Sequence, residues 1–370
     1  MATPRCFCFA TLVLVPTAAL AQSPQTEREV VPLEDCALIE NGVQRLACYD
    51  AVLKPESAQK RAGPEQEKAV ERATDTLEVN GTGEVTDAAD GEAQDGDNGV
   101  MNALMNRYVA TERALFSFSG SFVSYRPTYV MPLTYVDSPN TNPSSPTLGE
   151  TSYDAGLDDQ EAKYQISFKV PLLTGVFDER TTLWFGYTQL SFWQLFNADS
   201  SKPFRETNYE PEIFARYQTD LDIGPGTLNT VSLSLNHESN GRSEPRSRSW
   251  NRITSMITYS YDRWLFIVNP WYRIPEDSDE DDNPDIERYL GYGNFWAVYK
   301  WNDDKTLSLK LRNNFRSNDN RTSVQLGYSF PMGGTLKGYV EYYNGYGESL
   351  IDYNERIQRV GIGVMLNDWL

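Results

Sequence analysis

The chain has 370 residues, with 33 basic against 52 acidic side chains, one histidine and four cysteines. A net charge of −19 disfavours a nucleic-acid partner, because binding polyphosphate takes a basic stripe that displaces counterions. The single histidine excludes most zinc sites and routes any imidazole chemistry through His237.

Arg5 precedes the apolar stretch Cys6–Val15, and Ala19-Leu20-Ala21 offers a small-x-small cleavage site ahead of Gln22, which predicts an export signal over 1–21. No later stretch approaches the ~20 apolar residues of a membrane helix, so an exported chain that sits in a membrane must do so as a β-barrel. Cys36 and Cys48 bracket a short segment whose apolar spacing predicts two helical turns around Asn41-Gly42, a Cys-bracketed motif over 22–54. An oxidising periplasm permits a disulfide there, and without C-x-x-C the motif reads as a staple rather than a redox site. Residues 55–105 are expected to form a disordered acidic linker. Between Ala73 and Val100 lie eight acidic residues and no Lys or Arg, too little apolar surface to offset ordering entropy.

From 106 to the C-terminus the texture changes to a strict two-residue alternation. Val231/Leu233/Leu235 alternate with Ser232/Ser234/Asn236, Leu307/Leu309/Leu311 with Ser308/Lys310/Arg312, and Val360/Ile362/Val364 with Arg359/Gly361/Gly363. Each such segment has one apolar and one polar face. A soluble sandwich alternates too. Polar faces rich in Lys, Arg, Gln and Ser, and aromatic residues crowding the strand ends, favour an outer-membrane barrel. Trp184, Tyr187, Trp193, Tyr261, Trp264, Trp271, Tyr272, Tyr289, Trp296 and Trp301 are expected to form its interfacial girdles. Candidate strands fall near 114–125, 162–171, 180–194, 208–219, 226–239, 249–262, 263–274, 286–301, 304–316, 320–331, 334–345 and 356–368. The expected fold is all-β, a 12-stranded antiparallel transmembrane β-barrel over 106–370.

Parity then places the chemistry. His237 shares the outward row of Leu233 and Leu235, and Ser239 follows it. Asn251 shares the outward row of Ile253 and Ile257 on the next strand. A hairpin centred near Glu244 would pair 237 with 251 and set Ser239 opposite Ser249. A Ser, a His and an Asn on one lipid-facing surface suit a hydrolase whose substrate lives in the membrane, with His as base and the Asn amide fixing its tautomer. The competing reading is that polar residues at a strand rim merely meet headgroups and water.

The run His237-Glu-Ser-Asn-Gly-Arg-Ser-x-Pro-x-Ser-Arg-Ser-Trp-Asn251-Arg resembles the signature of the bacterial outer-membrane phospholipase A family. Phe185-Gly-Tyr-Thr-Gln189, Pro203-Phe-Arg-Glu-Thr-Asn-Tyr-Glu-Pro211, Asp282-Asn-Pro-Asp285, Gly345-Tyr-Gly-Glu-Ser-Leu-Ile-Asp-Tyr-Asn354 and Gly363-Val-Met-Leu-Asn-Asp368 are similar to it as well. The likeness runs from about Ala110 to the C-terminus. It implies a twelve-stranded barrel and a calcium-dependent serine hydrolase of glycerophospholipid acyl esters, active as a homodimer. By position it makes Ser239 the nucleophile, His237 the base and Asn251 the orienting residue. It places the Gly241 N–H in the oxyanion hole beside a calcium-bound water. It assigns the Ca2+ to the Arg242 backbone oxygen, Ser247 and Ser201 of the partner subunit, and Gln189 to the dimer interface. Glu244 stands where the family has Asp, facing Asp282 in a second calcium site, and the chain ends in Trp369-Leu370 rather than the usual Phe. A passive pore leaves the outward Ser–His–Asn row unexplained. A lipopolysaccharide-binding or adhesion barrel would instead use Arg242, Arg246, Arg248 and Arg252 as rim phosphate contacts.

Overall fold

A strand with apolar side chains on one face and polar ones on the other can bury either face, and the choice separates a soluble sheet from a membrane barrel. The computed structural model describes residues 99–115, 122–153, 156–175, 177–199, 201–333 and 336–369, and it turns the apolar faces outward. Leu233 and Leu235 are each 63% exposed, whereas Ser234 and Asn236 between them are each 4% exposed. An all-β antiparallel sheet results, with polar residues inside and hydrocarbon-compatible residues outside.

Twelve strands close it: β1 Thr128–Val136, β2 Gln160–Thr174, β3 Thr181–Trp193, β4 Phe204–Ile223, β5 Gly226–Ser239, β6 Ser249–Tyr261, β7 Trp264–Ile274, β8 Gly293–Lys300, β9 Thr306–Asn313, β10 Thr322–Pro331, β11 Lys337–Tyr346 and β12 Arg356–Asn367. Each pairs antiparallel with its sequence neighbour, and β12 returns to β1 through Val360 opposite Tyr135 and Ile362 opposite Leu133. Closure removes every unpaired edge, which is what lets a sheet cross hydrocarbon. Short turns such as Asp262-Arg263 join strands at one end, and long loops such as 240–248 and 275–292 at the other.

The interior is filled with ion pairs. Lys163 donates to Glu341 at 2.6 Å and to Glu348 at 2.9 Å. Arg359 reaches Glu348 at 2.8 Å and Glu161 at 2.7 Å, and Arg205 binds Glu161 at 3.0 Å and Asp352 at 2.6 Å. A cavity of about 130 Å³ remains near Arg126, Lys310 and Arg312, room for a few waters rather than an open channel. Removing one member of such a buried pair strands its partners without compensation. We expect Lys163→Met to destabilise the barrel by about 3–5 kcal/mol, read by unfolding in detergent micelles. Burial alone would raise the Glu348 carboxyl, but Arg359 and Lys163 outweigh it and hold it below its ordinary value. A depressed carboxylate contributes stability above the ordinary carboxylate range, and that share is lost as the pH falls through it.

Several expectations need correction. The first strand, expected at 114–125, is not a barrel strand. A helix, α1, spans Val100–Leu115, only Val123–Ser124 pairs next, against Phe168 and Lys169, and the first full strand starts at Thr128. The linker expected over 55–105 does not hold for its last residues, because α1 begins at Val100. Met101 and Met105 of α1 pack on the inward Leu265, Ile267 and Val298, and its Glu112 pairs with Lys169 and Arg216. The helix has an apolar stripe and a buried carboxylate that the lumen satisfies, so it lies inside the barrel instead of joining the sheet. The strand expected at 286–301 begins with a short helix, α2 (Ile286–Leu290), and pairs only from Gly293.

The aromatic girdle is also smaller than expected. Tyr261, Trp264, Tyr272 and Trp301 are exposed, but Trp184 and Trp271 are buried inside, and Trp296 and Tyr289 pack against interior clusters. For Trp184, Trp271 and Trp296 parity is the reason, since they fall on inward rows, whereas Tyr289 is carried inward by α2. There they serve as faces for buried cations, with Lys169 4.7 Å from the Trp184 ring and Arg252 5.5 Å from that of Trp271. The expected export signal (1–21), the Cys36–Cys48 motif (22–54) and the rest of the linker lie outside the described residues.

Candidate active site

The alternation that faces Leu233 and Leu235 outward continues through His237 to Ser239 at the long-loop end of β5. The β5–β6 register pairs His237 with Asn251 and Ser239 with Ser249, as the hairpin centred near Glu244 requires. The His237 Nδ1 lies 2.8 Å from the Asn251 Oδ1. Asn251 Nδ2 in turn donates to Glu276 Oε1 at 2.7 Å. Ser239 stands two residues beyond His237 on the same face, and its Oγ accepts the Gly241 N–H at 3.1 Å.

Gly241 has φ +62, and a Cβ built on it would come within 3.1 Å of the Tyr209 ring. Glycine is therefore the residue that lets the chain turn here with its N–H aimed at Ser239. The loop behind it is built on Asn240, whose role sequence reasoning passed over, and on Arg248, which it weighed only as a rim phosphate contact. Buried Asn240 accepts the N–H of Arg248 at 3.0 Å and of Arg242 at 3.3 Å, and donates to the Arg246 carbonyl at 2.8 Å. Arg248, fully buried, donates to the Ser247 carbonyl at 2.6 Å and the Pro245 carbonyl at 3.2 Å. Burial pushes the Arg248 guanidinium down from its ordinary value, and Tyr353 and Asp282 only partly oppose this. A run of polar residues with no period conceals both roles, since local side-chain-to-backbone bonding leaves no hydrophobic signal.

The oxygen donors meet at the same rim. Ser247 Oγ donates to Asp282 Oδ2 at 2.5 Å, bringing a hydroxyl and a carboxylate together next to the loop that carries the Arg242 carbonyl. Ser201 lies exposed in the separate loop between β3 and β4, at φ 57. Glu244 is exposed, and no bond joins it to Asp282. Among the described residues no three His, Cys, Asp or Glu side chains form a metal cluster, so a cation here would rely on carbonyl and hydroxyl oxygens as well. Such hard oxygen donors suit calcium.

Gln189 sits on the outward row of β3, where it accepts the Tyr187 hydroxyl at 3.1 Å and donates to Ser191 Oγ at 3.1 Å. It pairs with Tyr209, and Tyr209 pairs with Ser239. Two strand spacings, about 10 Å, therefore separate Gln189 from Ser239 along one ring of the barrel. The rim arginines are already engaged. Arg252 pairs with Glu238 at 2.7 Å inside the barrel, Arg242 donates to the Phe204 carbonyl at 2.8 Å, and Arg246 to that of Ser152 at 2.7 Å.

Comparison with known proteins places this arrangement. The family described as Phospholipase A1 matches residues 105–366. A relative in Neisseria meningitidis serogroup B, provisionally named a phospholipase A1, is 38% identical over 350 residues, 90% of each chain. The chain belongs to the phospholipase A1 family. The phospholipase A1 of Escherichia coli K12 is 45% identical over 208 residues, 56% of this chain and 70% of that one. The solved structure of outer membrane phospholipase A from E. coli superposes with a TM-score of 0.62 at 39% identity, covering 68% of this chain and 100% of that one. The Salmonella typhi outer membrane phospholipase, solved as a dimer with bound calcium, gives 0.61 at 38% identity, over 67% of this chain and 93% of that one. This phospholipase is thus a hydrolase of the bacterial outer membrane, and the closed twelve-stranded barrel is the family's fold.

Proposed function

We propose that this phospholipase hydrolyses acyl esters of membrane glycerophospholipids with Ser239 as nucleophile, His237 as general base and Asn251 as orienting residue, as a calcium-dependent homodimer. The observation that carries the reading is the Nδ1–Oδ1 contact of 2.8 Å between His237 and Asn251 on a lipid-facing row shared with Ser239. With Nδ1–H given to the Asn251 oxygen, the Nε2 lone pair is free to take the Ser239 proton. Ser239 Oγ then attacks the ester carbonyl carbon, and the Gly241 N–H, whose hydrogen bond the Oγ accepts before attack, donates instead to the carbonyl oxygen as that atom becomes the oxyanion. His237 returns its proton to the departing glycerol oxygen. Water, deprotonated by the same imidazole, releases the fatty acid from Ser239.

The Arg242 carbonyl, Ser247 and Ser201 of the partner subunit would hold the calcium ion, with Glu244 and Asp282 contributing carboxylates at a neighbouring site. When bound, the ion supplies positive charge and an ordered water to the oxyanion hole. Gln189 would bond across the dimer interface, where hydrocarbon gives apolar surfaces no drive to associate and polar contacts must supply part of the specificity. With Gln189 one strand from Tyr209 and two from Ser239, a partner seated there would wall a groove along the reacting ester. Residues 1–21 would be removed on export, and 22–54 would precede the acidic linker.

The test is fatty-acid release from phospholipid–detergent micelles by the wild type and Ser239→Ala. Loss of the nucleophile should lower the rate by about four to six powers of ten. A variant within tenfold of wild type would overturn the assignment.

A further inference from the structure

His237, Asn251 and Ile274 lie abreast on three adjacent strands, with Ile274 opposite Asn251 in the β6–β7 register. Tyr272 and Ile274 continue outward along β7, and two residues further the same row reaches Glu276, half-buried at the start of the following loop. Its Oε1 accepts Asn251 Nδ2 at 2.7 Å, on the side of the amide opposite His237.

An asparagine is an ambiguous orienting residue, since its amide can present either oxygen or NH2 to the ring. A carboxylate removes the ambiguity. It can only accept, so it selects the NH2 end and leaves Oδ1 for His237. That in turn demands a proton on Nδ1 and bares Nε2. The carboxylate also carries a full negative charge one amide away from the imidazole, which favours the imidazolium that forms as Ser239 is deprotonated. Neighbouring charges do not duplicate it. Glu238 and Arg252 pair with each other on the lumen side, Asp282 is bonded by Ser247, and the Arg242 guanidinium is spent on the carbonyls of Phe204 and Arg205.

We propose that Glu276 is a positioning residue of this hydrolase, the fourth member of a Ser239–His237–Asn251–Glu276 relay, acting on the imidazole through the Asn251 amide. The inference rests on the catalytic reading above and deepens it.

The test is the pH profile of kcat/KM for the full chain in phospholipid–detergent micelles, for wild type, Glu276→Gln, Asn251→Ala and the double variant. Loss of the charge should lower the plateau by about tenfold and move the acid limb to lower pH by about half a unit, the size expected for one charge at about 6 Å from an exposed ring screened nearly as in bulk water. Added to Asn251→Ala, the same change should lower the plateau little further, because the amide it orients is gone, while the charge still acts on the acid limb through space. Glu276→Asp should recover part of the plateau. A Glu276→Gln profile superimposable on wild type would overturn the proposal. So would a lower plateau with an unmoved acid limb, or an equal further loss in the Asn251→Ala background; both would mark a purely structural contact. Ser239→Ala and His237→Ala run alongside separate the two readings. If these stay active the catalytic assignment fails, whereas if they are inactive and Glu276→Gln is unchanged only the relay fails.

Discussion

His237→Ala is expected to lower ester hydrolysis by about four to six powers of ten, as much as Ser239→Ala, and the double variant should be hardly worse than either. Without the imidazole nothing at the site can take the Ser239 proton, since no other histidine exists in the chain and the charged groups nearby are committed to partners. A serine and its base act as one unit, so their losses do not add. Asn251→Ala should cost less, roughly ten- to a hundredfold, because a neutral amide orients the ring without supplying charge. The check is kcat/KM on one phospholipid substrate for all four variants, with folding verified by retained heat-modifiable migration of the barrel. Additive losses, or a His237→Ala variant close to wild type, would contradict the mechanism.

Chelating calcium is expected to lower the rate by about a hundred- to a thousandfold, the usual cost of removing one stabilising group from an oxyanion hole. Ser247 and the Arg242 carbonyl come from one subunit in this reading and Ser201 from the other, so the dimer should bind the ion more tightly than the monomer. Linkage then requires calcium to strengthen dimerisation by the same factor. Gln189→Ala should weaken the dimer and raise the calcium concentration for half-maximal activity, while Ser239 keeps its intrinsic reactivity. Sedimentation in micelles across a calcium series, with hydrolysis measured on the same samples, checks both. A fully active monomer at every calcium concentration would rule the coupling out.

How much of this was legible in the sequence depends on the range over which each feature is encoded. The pairing of His237 with Asn251 follows from a period of two and a loop length alone, because a one-residue slip would turn Leu233 and Leu235 inward. The strand count survives for the same reason. The interior does not: Arg359 with Glu161 and Lys163 with Glu348 join residues nearly 200 positions apart, and no local pattern announces them. Helix α1 had a signal in the spacing of Met101, Met105, Val109 and Glu112, all buried, but the acidic run before it and the alternating aromatics after it masked that period. Trp184 and Trp271 could have been assigned inward by counting parity from their strands instead of by residue type. Glu276 was legible in the same way, two steps beyond Ile274 on an outward row.

The central claim is that Ser239, on the lipid-facing wall of the barrel, is the nucleophile. Its most direct test is labelling of the full chain in micelles with a sulfonyl fluoride bearing a long alkyl chain, followed by peptide mapping. The account predicts one modified residue, Ser239, with the label appearing in step with the loss of hydrolysis and suppressed in His237→Ala. Modification of another residue in step with inactivation, or full inactivation with Ser239 unmodified, would contradict it.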